Sequence, residues 1–185
     1  MSEYSFKLAI IGDGGVGKTT LTHRYLHGIF EEKYALTIGM EFYIKKLEMN
    51  GDLISLHIWD FAGEDKFRFL LPGVINGANG TLFMFDITRY RTLGNLKDWL
   101  RVFNETNRNY GQQVETILIG GKLDLEQART VSKAEATDFT KEYNFSEYIE
   151  CSSKTGDNVE EIFGKVAQLM LRKETSLLKK SKRSA

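Results

Sequence analysis

Residues 12 to 20 read Gly12-Asp13-Gly14-Gly15-Val16-Gly17-Lys18-Thr19-Thr20. Gly12, four residues, then Gly17-Lys18-Thr19 fits a phosphate-binding loop. Glycine-rich stretches are often mere turns, so context decides. The apolar run Leu8-Ala9-Ile10-Ile11 leads in, and a helical stretch from Thr20 to about Gly28 leads out. A loop between a buried strand and a helix N-terminus aims backbone N–H groups at an anion, and its glycines allow close approach. Lys18 adds a point charge for the β- and γ-phosphates, and the Thr19 hydroxyl is placed to ligate magnesium.

Asp60 ends an apolar run and begins Asp60-Phe61-Ala62-Gly63. Its carboxylate can hold magnesium, directly or through water, and Gly63 can offer a backbone N–H to a γ-phosphate. Alone, Asp-x-x-Gly is a common turn; after a phosphate loop and at a strand end it reads as a site. Thr37, in Thr37-Ile38-Gly39, can complete the magnesium shell only while a γ-phosphate is present, ordering its loop with triphosphate and releasing it with diphosphate. In Lys122-Leu123-Asp124 the carboxylate can accept from the ring N–H and exocyclic amine of guanine. Adenine presents an acceptor and no amine there, and a site built to hydrogen-bond one base rejects the other strongly. The Lys122 stem can lie along the ring. By itself the tripeptide is equally an exposed lysine and aspartate in a loop. Backbone N–H groups in Cys151-Ser152-Ser153-Lys154 can meet the base carbonyl. His23 and His27 are four apart, but without a third ligand they read as a polar helix face.

These residues need elements to hold them. Strands are expected at about Phe6–Ile11, Met40–Met49, Leu53–Trp59, Thr81–Ile87, Val114–Gly120 and Phe145–Cys151, and Asn50-Gly51 signals a hairpin between the second and third. Helices are expected at about Thr92–Arg108, at Ser132–Tyr143 with a Ser132/Glu135 capping box, and at Asp157–Lys173 with an apolar stripe. Leu70–Asn76, holding the one proline, Pro72, reads as a short or irregular helix. Strands alternating with helices argue for an α/β fold: a six-stranded, mostly parallel sheet with one antiparallel edge strand and helices on both faces. Ligands in such sheets sit at the carboxyl ends of the strands.

With 185 residues the chain suits one domain, and a net charge of zero supplies no bulk field toward nucleic acid or membrane. The single cysteine, Cys151, forms no internal disulfide and suits a reducing compartment. No apolar run reaches spanning length, and signals for secretion, myristoylation and prenylation are not seen, so a cytoplasmic monomer is expected. Lys179, Lys180, Lys182 and Arg183 make residues 176–185 a flexible basic tail, capable at most of weak electrostatic membrane contact.

In order and spacing these motifs resemble the Ras-like small GTPases, and within them the Rab type, over about residues 5 to 172. Thr37-Ile38-Gly39-Met40-Glu41-Phe42 and Ile58-Trp59-Asp60 look particularly Rab-like. The resemblance implies a P-loop NTPase G domain over residues 1–175 that binds GTP and GDP with Mg2+, hydrolyses GTP slowly, and works as a molecular switch, for the Rab type in vesicle traffic. It implies catalytic roles for Lys18, Thr37, Gly63 and Glu64 and metal ligation by Thr19, Thr37 and Asp60. It implies nucleotide contacts from Asp13, Gly14, Gly15, Val16, Gly17, Lys18, Thr19, Thr20, Thr37 and Gly63. Base contacts are implied for Phe30, Lys122, Asp124, Ser152, Ser153 and Lys154, with Tyr34 closing over the phosphates. Loop one would span about Ile29–Gly39 and loop two about Phe61–Gly73. Effector, exchange-factor and GTPase-activating proteins would read these loops.

The sequence also departs from that family. Glu64 stands where a glutamine orients the attacking water, so hydrolysis at or below the usual slow rate is expected; alternatively Glu64 acts as a general base. Gly121 stands where an asparagine ties the base motif to the phosphate loop, so weaker binding or faster exchange is expected. Phe61 replaces a threonine, adding bulk to a loop. Ala35 stands where a built-in arginine would be, so an arginine finger would come from a partner. Phe42 and Trp59 match two members of an aromatic effector triad whose third position falls near Val74, and Phe67, Phe69, Leu70 and Leu71 are expected to form an apolar patch or to pack inward. Two other readings stand beside the switch: a GTP-bound module with negligible hydrolysis, and a P-loop ATPase or kinase. Lys122-x-Asp124 argues against the last.

Overall fold

Gly80–Asp86 is buried at every position, as a central strand covered on both faces must be. The computed structural model describes residues 2–31, 37–111 and 113–183. Among them are β1 (Glu3–Ile11), β2 (Met40–Met49), β3 (Asp52–Phe61), β4 (Gly80–Asp86), β5 (Glu115–Gly121) and β6 (Glu147–Glu150), in one sheet of order β2-β3-β1-β4-β5-β6. Neighbours run parallel except β2 and β3, so the antiparallel strand is an edge strand, as expected. Asn50 and Gly51 turn the hairpin with φ of 55° and 82°, values that asparagine and glycine tolerate best.

The pleat sorts β1 side chains between two cores. Phe6, Leu8 and Ile10 pack with α1 (Lys18–His27) and α6 (Val159–Arg183). Ala9 and Ile11 face the other way, toward α2 (Leu71–Ile75), α4 (Leu96–Tyr110) and α5 (Lys133–Glu142). Helices therefore cover both faces. Tyr25 of α1 stacks on Phe163 of α6 with centroids 3.8 Å apart. Ser132 and Glu135 form the expected capping box on α5.

Several local expectations are corrected. The stretch read as one helix from Thr92 divides into α3 (Tyr90–Gly94) and α4, and Asn95 at the junction sends its amide to Asp13. A 3-10 segment, Asp65–Leu70, precedes α2, and Pro72 sits in the first turn of α2. α6 continues to Arg183 instead of ending near Lys173. Leu177 and Leu178 are exposed there, and Leu, Lys, Glu and Arg have good helix propensity of their own. Phe61 is no loop residue: it ends β3, wholly buried, edge-on to Trp99. Leu71 and Val74 are likewise buried, because α2 turns them into the core.

Among the described residues no helix is long and apolar enough to cross a membrane. Within the same set no group of three or more His, Cys, Asp or Glu is placed to hold a metal. His23 instead bonds the Tyr43 hydroxyl at 2.8 Å.

Candidate nucleotide site

β1, β3, β5 and β6 all end on one side of the sheet, and the loops leaving them enclose a cleft of about 410 Å³. Its lining includes Gly14 to Thr20, Phe30, Thr37, Gly63, Glu64, Lys122, Asp124, Ser153 and Lys154. Nearly all the sequence-expected residues thus meet around one space. Two do not line it. The Asp13 carboxylate turns away and accepts from Asn95 Nδ2 at 2.7 Å and Trp99 Nε1 at 2.9 Å. Ser152 sits behind the wall, its hydroxyl donating to Asp124 Oδ1 at 2.6 Å. Tyr34 and Ala35 lie outside the described residues.

At the phosphate end, α1 begins at Gly17 with no side chain capping it, leaving its first N–H groups for an anion. Lys18 is buried and donates to the carbonyls of Gly12 at 2.8 Å and Asp13 at 2.9 Å. Burial lowers its pKa to about 8, against the pull of Asp60 and Asp13. Thr19 Oγ1 lies 2.8 Å from Thr37 Oγ1 and donates to Asp60 Oδ2 in a short bond. Burial pushes Asp60 up to about 6, and its other oxygen, Oδ1, is buried without a partner among the described residues. Two hydroxyls and one carboxylate, whose Oδ1 is the orphaned oxygen, are a hard, all-oxygen donor set that fits magnesium.

Gly63 packs onto the phosphate loop. A Cβ there would lie 2.2 Å from Asp13 C and 2.3 Å from Gly14 N, so only glycine lets loop two rest in this place. Next to it the Glu64 carboxylate pairs with Lys66 Nζ at 2.6 Å.

At the base end, Lys122 Nζ bonds Asp86 Oδ2 at 2.7 Å. Asp86 is fully buried; burial alone would raise its pKa, but Lys122 and Thr88 together hold it below the ordinary value. Cys151, fully buried at the root of this end, accepts from Leu123 N at 2.9 Å. Gly121 has no room for a side chain while Met84 keeps its place: a Cβ would sit 2.5 Å from Met84 Cε and 3.1 Å from Val16 O.

The profile described as the Ras family matches residues 7–172. The chain belongs to the Ras family. It is 38% identical over 161 residues to Ras-related protein Rab-30 of Homo sapiens, covering 87% of this chain and 77% of that one. It is 36% identical over 171 residues to Ras-related protein Rab-8B of Pongo abelii, covering 92% and 81%. The sheet order, the phosphate loop and these relatives make it a Rab-like small GTPase with the α/β P-loop NTPase fold.

Within this Ras-family chain the Rab-like surface is only partly kept. Phe42 and Trp59 pair across β2 and β3, centroids 5.2 Å apart, but Val74 is buried in the core and offers no exposed surface beside them. Of the four apolar residues considered for a loop-two patch, Phe69 is 76% exposed, Leu71 is buried, and Phe67 and Leu70 pack partly inward. Sequence reasoning missed Met84, Leu125 and Glu31 in the lining. Leu125, next to Asp124, has a local signal; Met84 has none, because it reaches the cleft from the middle of a buried run.

Proposed function

We propose that this Ras-family chain is a guanine-nucleotide switch that binds GTP and GDP with magnesium, hydrolyses GTP slowly, and offers different loops to partners in its two states. The meeting of Thr19, Thr37 and Asp60 beside Lys18, with Asp60 Oδ1 unpartnered, carries this reading. Thr19, Thr37 and Asp60 would hold a magnesium ion, which would supply charge neutralisation for the phosphates. Thr37 joins the cluster from loop one, so its contact is the one that loss of the γ-phosphate would release. Lys18 and the N-terminus of α1 bind phosphate oxygens, and the Gly63 N–H serves the γ-phosphate. Asp124, oriented by Ser152, accepts from guanine, with Lys122 and Phe30 against the ring. Glu64 stands where water must be oriented and, among the described residues, pairs with an exposed lysine, which supports slow hydrolysis. Effector, exchange-factor and activating proteins would engage exposed side chains such as Ile38, Phe42 and Phe69.

Chromatography of the nucleotide released from purified protein, before and after long incubation with magnesium, tests the reading. GDP accumulating from GTP supports it. Recovery of adenine nucleotides, or displacement of bound nucleotide by ATP as readily as by GTP, would overturn it. Glu64 also favours a second reading, a GTP-bound module with negligible hydrolysis, for which GTP would persist unchanged.

A further inference from the structure

The turn from β4 into α3 places Arg89 beside the phosphate loop. Its Nε donates to Asp86 Oδ2 at 2.9 Å, and Nη2 makes a long bond of 3.4 Å to Gly14 O. The same Nη2 lies 3.7 Å from where a Cβ of Gly15 would stand, so the guanidinium rests across the outer turn of the loop. Asp86 Oδ2 also holds Lys122. One buried carboxylate therefore links the base motif, through Arg89, to the phosphate loop. Gly121 carries no side chain able to make that link, and Met84 fills the space beside it.

We propose that Arg89 is a positioning residue for the nucleotide: with Asp86 it braces the phosphate loop against the base motif, a tie that Gly121 leaves unmade. The planar fork of arginine suits this role, since two of its nitrogens can address a carboxylate and a carbonyl at once, which a lysine ammonium on a single stem does poorly. Asn95, at the α3–α4 junction, and Trp99 of α4 hold the neighbouring Asp13, so the loop's outer turn is fixed on two sides and a loss at Arg89 frees only one. The brace rests on the nucleotide-switch reading above.

Dissociation of fluorescent GDP from the full chain, with GMP affinity measured alongside, tests the brace on wild type, Arg89→Gln, Arg89→Met and Arg89→Lys. The Arg89 side chain is 40% exposed, so these variants are expected to fold, which their melting curves would verify. All three should release GDP about tenfold faster, the effect of one charge-assisted contact. GMP affinity should hardly change, because the brace acts on the loop that wraps the outer phosphate. Off-rates within twofold of wild type, full recovery by lysine, or equal losses for GMP and GDP would each overturn the brace. A wild-type chain that retains no guanine nucleotide would instead remove the switch reading, and the brace with it.

Discussion

Glu64 and Lys66 form a pair 2.6 Å apart, but the lysine side chain is 65% exposed, and exposed ion pairs offset charge weakly. The charge of Glu64 is therefore only weakly offset by this pair. Glu64→Gln should raise single-turnover hydrolysis about tenfold, the effect of roughly 1.4 kcal/mol on the barrier; an unchanged rate would show that the carboxylate does no harm there. At the other end of the cleft, Asp124 is held by Ser152, so its oxygens are set before any base arrives. Asp124→Ala should weaken GDP binding by about 1.5–3 kcal/mol for each hydrogen bond lost and leave ATP affinity as it was. Competition titrations with both nucleotides read that difference directly.

Between elements, the joint of β6 with the segment after β5 is held by ions. Glu150 accepts from Arg129 at 2.7 and 2.8 Å and from the Tyr148 hydroxyl at 2.6 Å. Burial alone would raise the Glu150 pKa; the bonds from Arg129 and Tyr148 prevail and lower it from 4.5. A lowered folded value means this contribution is complete above 4.5 and is lost as pH falls through the folded pKa. Glu150→Gln should cost about 3 kcal/mol at pH 7, the low end for breaking a buried pair because Arg129 keeps Glu126. The gap from wild type should narrow in acid, and urea melts at pH 7 and below pH 4.5 would measure both. Across β4 and β5 another coupling is steric. Gly121→Asn alone must displace Met84 and should give little, whereas Met84→Ala with Gly121→Asn should slow GDP release. Equal off-rates for the single and double variants would refute that coupling. These contacts explain what sequence could and could not disclose. The phosphate loop, Asp60 and Asp124 are legible because each is a short pattern whose neighbours in the chain aim it. Thr37 is legible through its place relative to those patterns. A mostly parallel sheet with one antiparallel edge strand is legible from alternation and one hairpin. Arg89 meets Gly14 across 75 positions, and Met84 fills the space at Gly121 from an adjacent strand; neither leaves a local trace. The burial of Phe61 and Val74 was equally hidden, since it depends on how β3 and α2 face α4 rather than on residue type.

For the molecule as a whole, the cleft draws on the ends of β1, β3, β5 and β6, so anything bound there joins most of the sheet. A ligand that binds only the folded chain stabilises it by about 2.7 kcal/mol at a free concentration of a hundred times its Kd. GDP with magnesium should therefore raise the melting temperature. Chelation of the magnesium should withdraw part of that gain if Thr19 and Asp60, which bond each other, also hold the metal as proposed. A melting temperature indifferent to chelator would argue that the oxygens around Asp60 hold no ion. Tucked behind the base motif, Cys151 is the sole cysteine of the chain and is fully buried. Burial first, then the charges of Asp124 and Glu150, push its thiol up to about 12. At neutral pH it is both protonated and out of reach, so it is chemically silent in the folded state. A cysteine placed on loop one or loop two would then be the only thiol a maleimide dye can find. The native background thus suits single-site fluorescent labelling without first being stripped of its own cysteine.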